Sequence, residues 1–420
     1  MNKKFLSLAV IVGMGLFLGA CSNKKEDTSN ADKIKIEFWN HWTSDGAEGK
    51  FFSEKIEEYE KANPSIDIVQ KNIPIDDYTG TKLTTAFATG EGPDIFSASP
   101  GTINTFINSG IAYPLDKYFD KEVLTDYSEE AIKDVTKDGK IIAVPFEQDL
   151  MALFYDKDAF ENAGIQPPKT WDEMISAAKK LTTDKVSGIT YDLTKGAYGN
   201  FSFMPFVWQS GGDFFDGEKS LLNTKPVIDA LTLWKKMVDD GSANLKPSRF
   251  ASDAGILGDK ETAMWIGGSF GIKGLEDDYN NTNIGVVPLP VPNGGSPTSV
   301  AGGWKLVINS QSKAADEAAK FAKWLFLDKD AKNSTEWNTE VKFSYSPRKS
   351  VVENAEEIYQ KGLRANFTNE IYGTERPELS MDPKVSDIIG DMIQNALFSV
   401  SPEQAAKEAD AKLTEYFESN

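Results

Sequence analysis

The sequence predicts an α/β fold, because segments with strand character alternate with segments of helical periodicity along most of the chain. Residues 34–39 are apolar and β-branched, which is typical of a buried strand. Phe52, Ile56 and Tyr59 then recur at helical spacing until Asn63-Pro64, which ends a helix. The alternation continues with a strand predicted at residues 66–69, a helix at 83–88, and strand-like segments at 95–96 and 141–144.

Two helix starts are marked by capping sequences. Thr170-Trp171-Asp172-Glu173 fits a capping box, in which the Thr oxygen and the Glu carboxylate accept hydrogen bonds from free N–H groups. Ser401-Pro402-Glu403-Gln404 has the same pattern, with proline at the first helical position. Apolar residues at helical spacing predict buried faces that include Trp171, Trp234 and Trp324.

Residues 1–20 have the pattern of a signal peptide. Lys3 and Lys4 precede an apolar run, residues 5–17, that is too short for a transmembrane helix. Leu18-Gly19-Ala20-Cys21 follows and resembles the lipobox of bacterial lipoproteins, in which the chain is cut before a Cys that carries the lipid. An ordinary signal peptide with a Cys near its end is the alternative. We expect a lipid on Cys21 and a flexible tether over residues 21–32.

Composition limits the partners and cofactors. The formal net charge of −19 becomes −21 when the positive charges of Lys3 and Lys4 are removed, which disfavours nucleic acid and bare anionic membranes. Cys21 is the only cysteine and His41 the only histidine, which excludes internal disulfides, Cys/His zinc sites and a Ser-His-Asp triad. The Gly-x-x-x-x-Gly-Lys-Ser/Thr motif is missing as well. We expect no cofactor, no metal and no enzymatic activity, although carboxylates alone would suffice for a glycosidase.

A series of motifs runs through nearly all of the chain after the tether. In order, they are FWNHW at 38–42, LTTAFATGEGPDI at 83–95, VPFEQD at 144–149, FYDKDAF at 154–160, PKTWDEM at 168–174, QSGGD at 209–213, ETAMWIGGS at 261–269, GGW at 302–304 and SPR at 346–348. Each motif is weak alone, but together and in this order they resemble the family 1 extracellular solute-binding proteins, which include maltodextrin- and other oligosaccharide-binding proteins.

The resemblance implies a two-lobed, periplasmic-binding-protein-like fold (type II), with the ligand in a cleft between lobes joined by several crossing strands. Length alone already favours two domains. By resemblance, the crossings lie near Val144-Pro145, Val300-Ala301 and residues 343–346. The N-terminal lobe would comprise residues 33–145 plus 302–345, and the C-terminal lobe residues 146–301 plus 346–420.

Sugar binding needs flat aromatic rings for the C–H faces and fixed hydrogen-bonding groups for the hydroxyls. Two clusters have these residue types at strand ends, where binding loops commonly lie. Asn40, His41 and Trp42 follow the first strand, although one of Trp39 and Trp42 could belong to the core and His41 could be an ordinary loop residue. Glu147, Gln148 and Asp149 follow the first crossing, where a solvated acidic turn is the alternative.

Further candidates come from loops that the resemblance brings to the cleft. Phe270 and Trp304 could stack on a sugar, and Arg348 could donate to hydroxyls. A core position is the alternative for Trp208 and for Trp304, and an ion pair between structural elements is the alternative for Arg348. The full set of these candidates is Ser99, Trp208, Gln209, Gly268, Ser269, Phe270, Gly303, Trp304 and Arg348.

The resemblance implies a monomeric sugar-binding lipoprotein. It would capture a mono- or oligosaccharide by hinge closure and deliver it to the permease of an ABC importer with a separate ATPase. It would lie on the outer face of the cell membrane of a Gram-positive cell, in contact with the membrane only through the lipid on Cys21. Alternatives are a binding protein for glycerol phosphate, peptide or a metal complex, a surface glycosidase, and an adhesin.

Overall fold

The computed structural model describes residues 33–279 and 283–419. The signal peptide, Cys21 and the tether predicted above lie outside the described residues. The strands are β1 Ile34–Asn40, β2 Ile66–Asn72, β3 Ile95–Ala98, β4 Thr136–Lys137, β5 Lys140–Ile141, β6 Val144–Pro145, β7 Met151–Asp156, β8 Phe215–Asp216, β9 Lys219–Ser220, β10 Met264–Gly268, β11 Ile284–Val287, β12 Ser299–Ala301, β13 Lys305–Ile308 and β14 Glu375–Pro377.

The helices follow the same order. They are α1 Ala47–Ala62, α2 Ile75–Asp77, α3 Leu83–Ala88, α4 Pro100–Asn108, α5 Lys121–Asp126, α6 Glu129–Asp134, α7 Lys157–Ala163, α8 Trp171–Leu181, α9 Ala197–Gln209, α10 Lys225–Asp239, α11 Gly255–Gly258, α12 Ile272–Asp277, α13 Ala315–Phe326, α14 Lys332–Glu336, α15 Lys349–Asn354, α16 Glu356–Tyr359, α17 Gly362–Glu370, α18 Pro383–Phe398 and α19 Pro402–Ser419. Short π-helical turns span Tyr78–Lys82 and Trp337–Val341. Over the described ranges, none of these helices is both long and apolar enough to span a membrane.

The first lobe is built on a five-stranded sheet in the order β2-β1-β3-β13-β6. Strands β2 and β3 run parallel to β1, whereas β13 is antiparallel to both β3 and β6. Because β13 comes from a segment far along the sequence, the chain leaves this lobe after β6 and returns to it. The sheet therefore ties two separate segments into one unit.

A continuous apolar core covers this sheet, with side chains from residues 36–146 and 306–337. Phe146 belongs to it and stacks on Phe326, with ring centroids 4.6 Å apart. Residue 146 was predicted to begin the second lobe. The aromatic contact places the Phe146 side chain in the first core.

The second lobe contains an antiparallel sheet in the order β10-β7-β11 and two apolar clusters drawn from residues 150–301 and 345–413. Tyr345 packs in one of these clusters, stacked on Tyr359 at 4.9 Å. It was predicted to belong to the first lobe. The third crossing therefore reaches the second core before residue 346.

Three chain segments run side by side where the lobes meet. The amide of Gln148 donates to the carbonyl of Tyr345 at 2.7 Å, and the amide of Tyr345 donates back at 2.9 Å. The amide of Gly302 donates to the carbonyl of Asp149 at 2.9 Å. The segments near residues 148, 302 and 345 thus form a hydrogen-bonded junction, close to the crossings that the sequence predicted.

Local sequence signals are confirmed in most places. The amide of Glu173 donates to Thr170 Oγ1 at 3.2 Å, and the amide of Thr170 donates to the Glu173 carboxylate at 3.1 Å, which completes the capping box of α8. The predicted strand at residues 141–144 is wrong as one element. It is divided because β5 pairs with β4 in a hairpin, whereas β6 pairs with β13 in the main sheet.

Candidate functional site

A pocket of about 300 Å³ lies between the two lobes. One side comes from the first lobe, through Tyr78, Ser97, helix α4 and Trp304, and the other from the start of α9 and of α18 in the second lobe. The wall is rich in hydroxyl groups and also contains aromatic rings. Its lining residues are Tyr78, Thr79, Leu83, Thr84, Ser97, Gly101, Thr102, Thr105, Phe106, Lys195, Gly196, Ala197, Trp304, Pro383, Ser386 and Asp387.

Trp304 connects this pocket to the loop after β1. Its ring stacks on His41, with centroids 3.9 Å apart and an angle of 30° between the planes. Trp42 lies on His41 as well, at 4.2 Å, and Tyr78 lies 6.0 Å from it. Of these rings, Trp304 and Tyr78 line the pocket. His41 and Trp304, which were predicted separately as ligand-binding residues, are therefore brought together as an aromatic stack at the pocket.

Trp42 was predicted to face the cleft, but its side chain lies in the first core and is 5% exposed. It packs against Phe52 and Trp337, with ring centroids 5.2 Å away in each case. Asn40 is also buried, and its Oδ1 accepts hydrogen bonds from the amide of Trp42 and from Asn72. Both residues support the loop that presents His41. Trp39 is buried too, so the two Trp of this motif share the core.

His41 is held as a neutral ring. Burial lowers the pKa of His41 well below its ordinary value, and the positive charge of Lys342 lowers it further. Its Nδ1 is buried and has no hydrogen-bond partner among the described residues. A buried polar atom without a partner is unfavourable unless something supplies the missing bond. His41 Nδ1 is thus a buried, unpaired polar atom directly behind the Trp304 ring of the pocket wall.

Glu147 fixes the position of Trp304. Its carboxylate accepts from the Trp304 amide at 3.0 Å and from Trp337 Nε1 at 2.8 Å. Burial raises the pKa of Glu147 to about 7. Gly303 precedes Trp304 with φ of +112°, and a Cβ there would lie 2.2 Å from the Glu147 carbonyl oxygen, so a side chain does not fit. Glu147 and Gly303 therefore position Trp304 and do not themselves line the pocket.

Asp149 lies at the junction between the lobes and is 6% exposed. Ser269 Oγ donates to Asp149 Oδ1 at 3.2 Å and accepts from the amide of Leu150 at 3.2 Å. Burial raises the pKa of Asp149, although Lys342 and Ser269 oppose that shift. The two predicted residues thus form one buried polar pair.

Gly268 and Phe270 stand next to this pair. A Cβ at Gly268 would lie 2.1 Å from the Phe270 ring, which explains why glycine is needed there. The Phe270 ring is half-buried and approaches Tyr198, at 6.3 Å between centroids. The hydroxyl of Tyr198 is buried and unpaired within the part of the chain that the structure describes.

Four other predicted residues have partners inside the protein. Gln209 bridges Trp171 and the carbonyls of Leu289 and Thr298, Trp208 donates to Asp213, and Gln148 donates to Glu375. Arg348 is 1% exposed, and its Nε donates to Asp126 at 2.7 Å while Nη1 donates to the carbonyl of Asp328. For Trp208 and Arg348 these contacts fit the alternative interpretations, a core position and an ion pair between elements, whereas the solvated turn considered for residues 147–149 does not fit the burial of Glu147 and Asp149.

Ser99 is the N-cap residue of α4, and its Oγ lies 3.1 Å from Thr102 Oγ1. Thr102 lines the pocket, so Ser99 is adjacent to the site without being part of its wall. The sequence does not indicate which of the two hydroxyl residues lines the pocket, because both follow the same Gly-Pro-Asp turn and the same strand, β3.

Sequence reasoning missed Tyr78, Tyr198, Lys195 and Lys342. Tyr78 sits in a π-helical turn and its hydroxyl donates to the carbonyl of Ser97 at 2.8 Å. Tyr198 follows Gly196 at the start of α9, and an aromatic residue next to a glycine was the one signal that could have suggested it. The positions of the two lysines depend on which loops meet across the lobes, and no local pattern indicates that.

No group of three or more His, Cys, Asp or Glu side chains that could hold a metal ion is found in residues 33–279 and 283–419. The polar groups at the site are instead mainly hydroxyls, with buried carboxylates nearby, one imidazole, and the ion pair of Lys195 with Asp387 and Asp391 at the pocket wall. Such groups exchange hydrogen bonds with an uncharged polar molecule, and the rings offer it apolar faces.

Comparisons with known proteins agree with this architecture. The multiple sugar-binding protein of Streptococcus mutans serotype c is 23% identical over 337 residues, which cover 77% of this chain and 78% of that protein. A solute-binding protein of Thermotoga lettingae bound with α-D-tagatose has a TM-score of 0.80 at 24% identity, and maltose-bound MalE3 of T. maritima has 0.77 at 24%. Each alignment covers 91% of this chain and 99% of the other.

These structures confirm the predicted two-lobed fold. The family model of the bacterial extracellular solute-binding proteins matches residues 43–332, which is more than half of the chain and includes parts of both lobes. This chain belongs to the bacterial extracellular solute-binding protein family.

Proposed function

We propose that this protein captures a mono- or oligosaccharide outside the cell and delivers it to an ABC importer. The ligand binds between the lobes, and closure of the second lobe over it produces the form that docks on the permease. Ligand can favour this closed form only by binding it more tightly than the open one. The ATPase is a separate subunit, and the binding protein acts as a monomer without turnover of its ligand.

The observation that supports a sugar most directly is Trp304 in the wall of the pocket. Its ring is held by the stack on His41 and by the bond from its amide to Glu147, so it is pre-positioned. A flat, fixed indole beside Thr and Ser hydroxyls suits the C–H face and the hydroxyls of a pyranose. Pre-positioned rings also lose little conformational entropy on binding.

A phosphorylated ligand is disfavoured by the charges at the pocket. Lys195 is the one cation among the lining residues that the structure describes, and its Nζ lies 2.8 Å from Asp391 and 3.3 Å from Asp387. Phosphate recognition normally uses free cationic groups, often forked arginine contacts. Glycerol phosphate is therefore the weaker proposal.

The location that we propose is the outer face of a Gram-positive cell membrane, with a lipid on Cys21 as the only membrane attachment. The lipobox-like sequence supports this proposal. Mass spectrometry of the membrane fraction would detect the lipid-modified Cys21 peptide. Recovery of a Cys21→Ser variant in the membrane fraction would contradict anchoring through Cys21.

A thermal-shift screen of residues 33–420 against mono- to pentasaccharides of varied linkage tests the function. A ligand at about 100 times its Kd stabilises the fold by roughly 2.7 kcal/mol. We expect a shift confined to one linkage series, with the saccharide recovered unchanged after incubation. Cooperative melting without a shift for any saccharide would contradict sugar binding, and cleaved saccharide would indicate a glycosidase.

A further inference from the structure

Lys342 lies just before the third crossing, between the lobes. Its side chain is only partly exposed, and its Nζ lies 5.7 Å from the centre of the Phe270 ring in the second lobe. On the other side it is close enough to His41 of the first lobe to lower the pKa of that residue. Lys342 therefore points into the space where the lobes face each other.

The ammonium of Lys342 is charged but not directly paired. Burial acts to lower the pKa of Lys342, yet the carboxylates of Asp149, Glu147 and Glu48 outweigh burial and hold that pKa above its ordinary value. Within residues 33–279 and 283–419, the contact that Lys342 Nζ makes is with the face of the Phe270 ring, and no hydrogen bond or ion pair joins it to another group. A charged donor with three N–H bonds is thus left for a bound molecule.

Two more polar groups around the same space lack partners. The hydroxyl of Tyr198 and Nδ1 of His41 are both buried and unpaired among the described residues. Tyr198 approaches Phe270, and the charge of Asp149 influences it. A ligand that reached all three groups would give a partner to donors and acceptors from both lobes and from the crossing.

The backbone next to Lys342 is held in an unusual conformation. A π-helical turn, Trp337–Val341, ends directly before it, and Phe343 directly after it has φ of +61°, which non-glycine residues rarely adopt. The ring of Phe343 is covered by the guanidinium of Arg364 at 3.9 Å, and Lys273 Nζ lies 4.9 Å from its centre. Strained backbone that is fixed by packing is typical of sites that pre-position a side chain.

We infer that Lys342 is a ligand-contacting residue which, with Asp149, Tyr198 and Phe270, forms a second subsite beside Trp304 for an uncharged sugar unit. This inference rests on the proposed function and narrows its substrate class. The carboxylates of Asp149, Glu147 and Glu48 offset the positive charge of Lys342, so a uronate or phosphate would gain less here than beside an isolated ammonium. Sugar hydroxyls can instead accept from Lys342, donate to Asp149 and lie against the Phe270 ring.

Titration calorimetry with residues 33–420 tests the inference. The neutral probes are maltotriose, cellotriose, xylotriose and β-1,4-galactotriose, and the acidic probes are trigalacturonate and glucose 6-phosphate. We expect the wild-type protein to bind at least one neutral probe and to bind trigalacturonate at least about 10-fold more weakly than galactotriose. Tighter binding of an acidic probe would overturn the substrate class.

Lys342→Met should weaken binding of the best neutral probe by about 10- to 100-fold, because a hydrogen bond from a charged donor is lost. Lys407→Met, on the exposed face of α19, is the matched control and should bind like the wild type. Lys342→Met binding within about twofold of the wild type, at an unchanged melting temperature, would overturn the role of Lys342.

Asp149→Asn removes one negative charge at nearly constant volume, so it should reduce the discrimination against trigalacturonate. Undiminished discrimination in this variant would overturn the charge argument. If the wild-type protein binds none of the saccharides, the proposed function itself fails. Binding of neutral probes that is independent of Lys342 refutes only the second subsite.

Discussion

At the scale of single residues, the site depends on polar groups that the fold buries away from solvent. Glu147, Asp149 and Glu378 are each less than a tenth exposed, and burial is the main cause that raises the pKa of all three. Each carboxyl group also has a contact that partly offsets the effect of burial on its pKa, such as the two N–H donors to Glu147. These carboxyl groups hold structure around the cleft and reduce stability when they ionise.

Glu378 gives the clearest pH prediction. Burial raises its pKa from 4.5 to about 8, so between these values the folded state binds more protons than the unfolded state. The free energy of unfolding should therefore fall as pH rises through this window, by up to about 4 kcal/mol from Glu378. In Glu378→Gln, the free energy of unfolding should decrease less between pH 5 and pH 8 than in the wild type. Urea unfolding at these two pH values would measure the difference.

Glu415→Gln, at an exposed position of α19, is the control and should keep the pH dependence of the wild type. Equal loss of stability between pH 5 and pH 8 in Glu378→Gln and in the wild type would show that Glu378 does not titrate in this range.

At the scale of elements, Arg348 joins three separate pieces of the chain. It follows the third crossing, pairs with Asp126 at the end of α5, and donates to carbonyls just after α13. Arg348 is almost fully buried and Asp126 is partly buried, so loss of the arginine leaves the carboxylate with only its two hydrogen bonds from Ser350. Arg348 is therefore needed to hold these three pieces of the chain together, and this role requires no contact with the ligand.

Arg348→Met should lower the free energy of unfolding by about 2–4 kcal/mol, because Asp126 loses its cationic partner and the carbonyls of Phe326 and Asp328 lose a donor. The saccharide affinity of the folded protein should remain unchanged. Arg376→Met, which breaks an ion pair between half-exposed groups, should cost about 1 kcal/mol or less. A large loss of affinity in Arg348→Met, with little loss of stability, would instead place Arg348 in the binding site.

Sequence patterns predicted elements well where the signal is local. The capping box at Thr170 and the helix over residues 83–88 are confirmed, because capping and periodicity depend on neighbouring residues. Trp42 and Trp208 show the limit of such patterns. A Trp beside a turn can face ligand or core, and the outcome depends on what packs there, here Phe52 and Trp337 around Trp42. The same holds for Lys342, whose surroundings come from four distant segments.

At the scale of the whole molecule, the lobes also touch beside the pocket. Asn108 Nδ2 at the end of α4 donates to Asp382 Oδ1 at 2.7 Å, and Ser380 Oγ donates to the carbonyl of Pro100 at 3.1 Å. Both bonds join the first lobe to the segment before α18. They favour an arrangement in which the lobes are close together.

The double variant Asn108→Ala/Ser380→Ala should open the ligand-free protein. The arrangement with the lobes together loses two hydrogen bonds between them, whereas an open arrangement has neither bond to lose. Small-angle X-ray scattering should then give a larger radius of gyration than for the wild type, and saturating saccharide should reverse the difference. Ser109→Ala removes a hydrogen bond within α4 and serves as the control. An unchanged radius of gyration in the double variant would show that these contacts do not bias closure.

The central claim is that a saccharide binds between the lobes against Trp304, and titration calorimetry of one variant pair tests it most directly. With the saccharide that stabilises the protein most, Trp304→Ala should bind at least about 10-fold more weakly than the wild type, because the stacking surface is lost. Trp208→Phe, at a buried position of the second core, should bind within about threefold of the wild type. Wild-type affinity in Trp304→Ala would contradict the site.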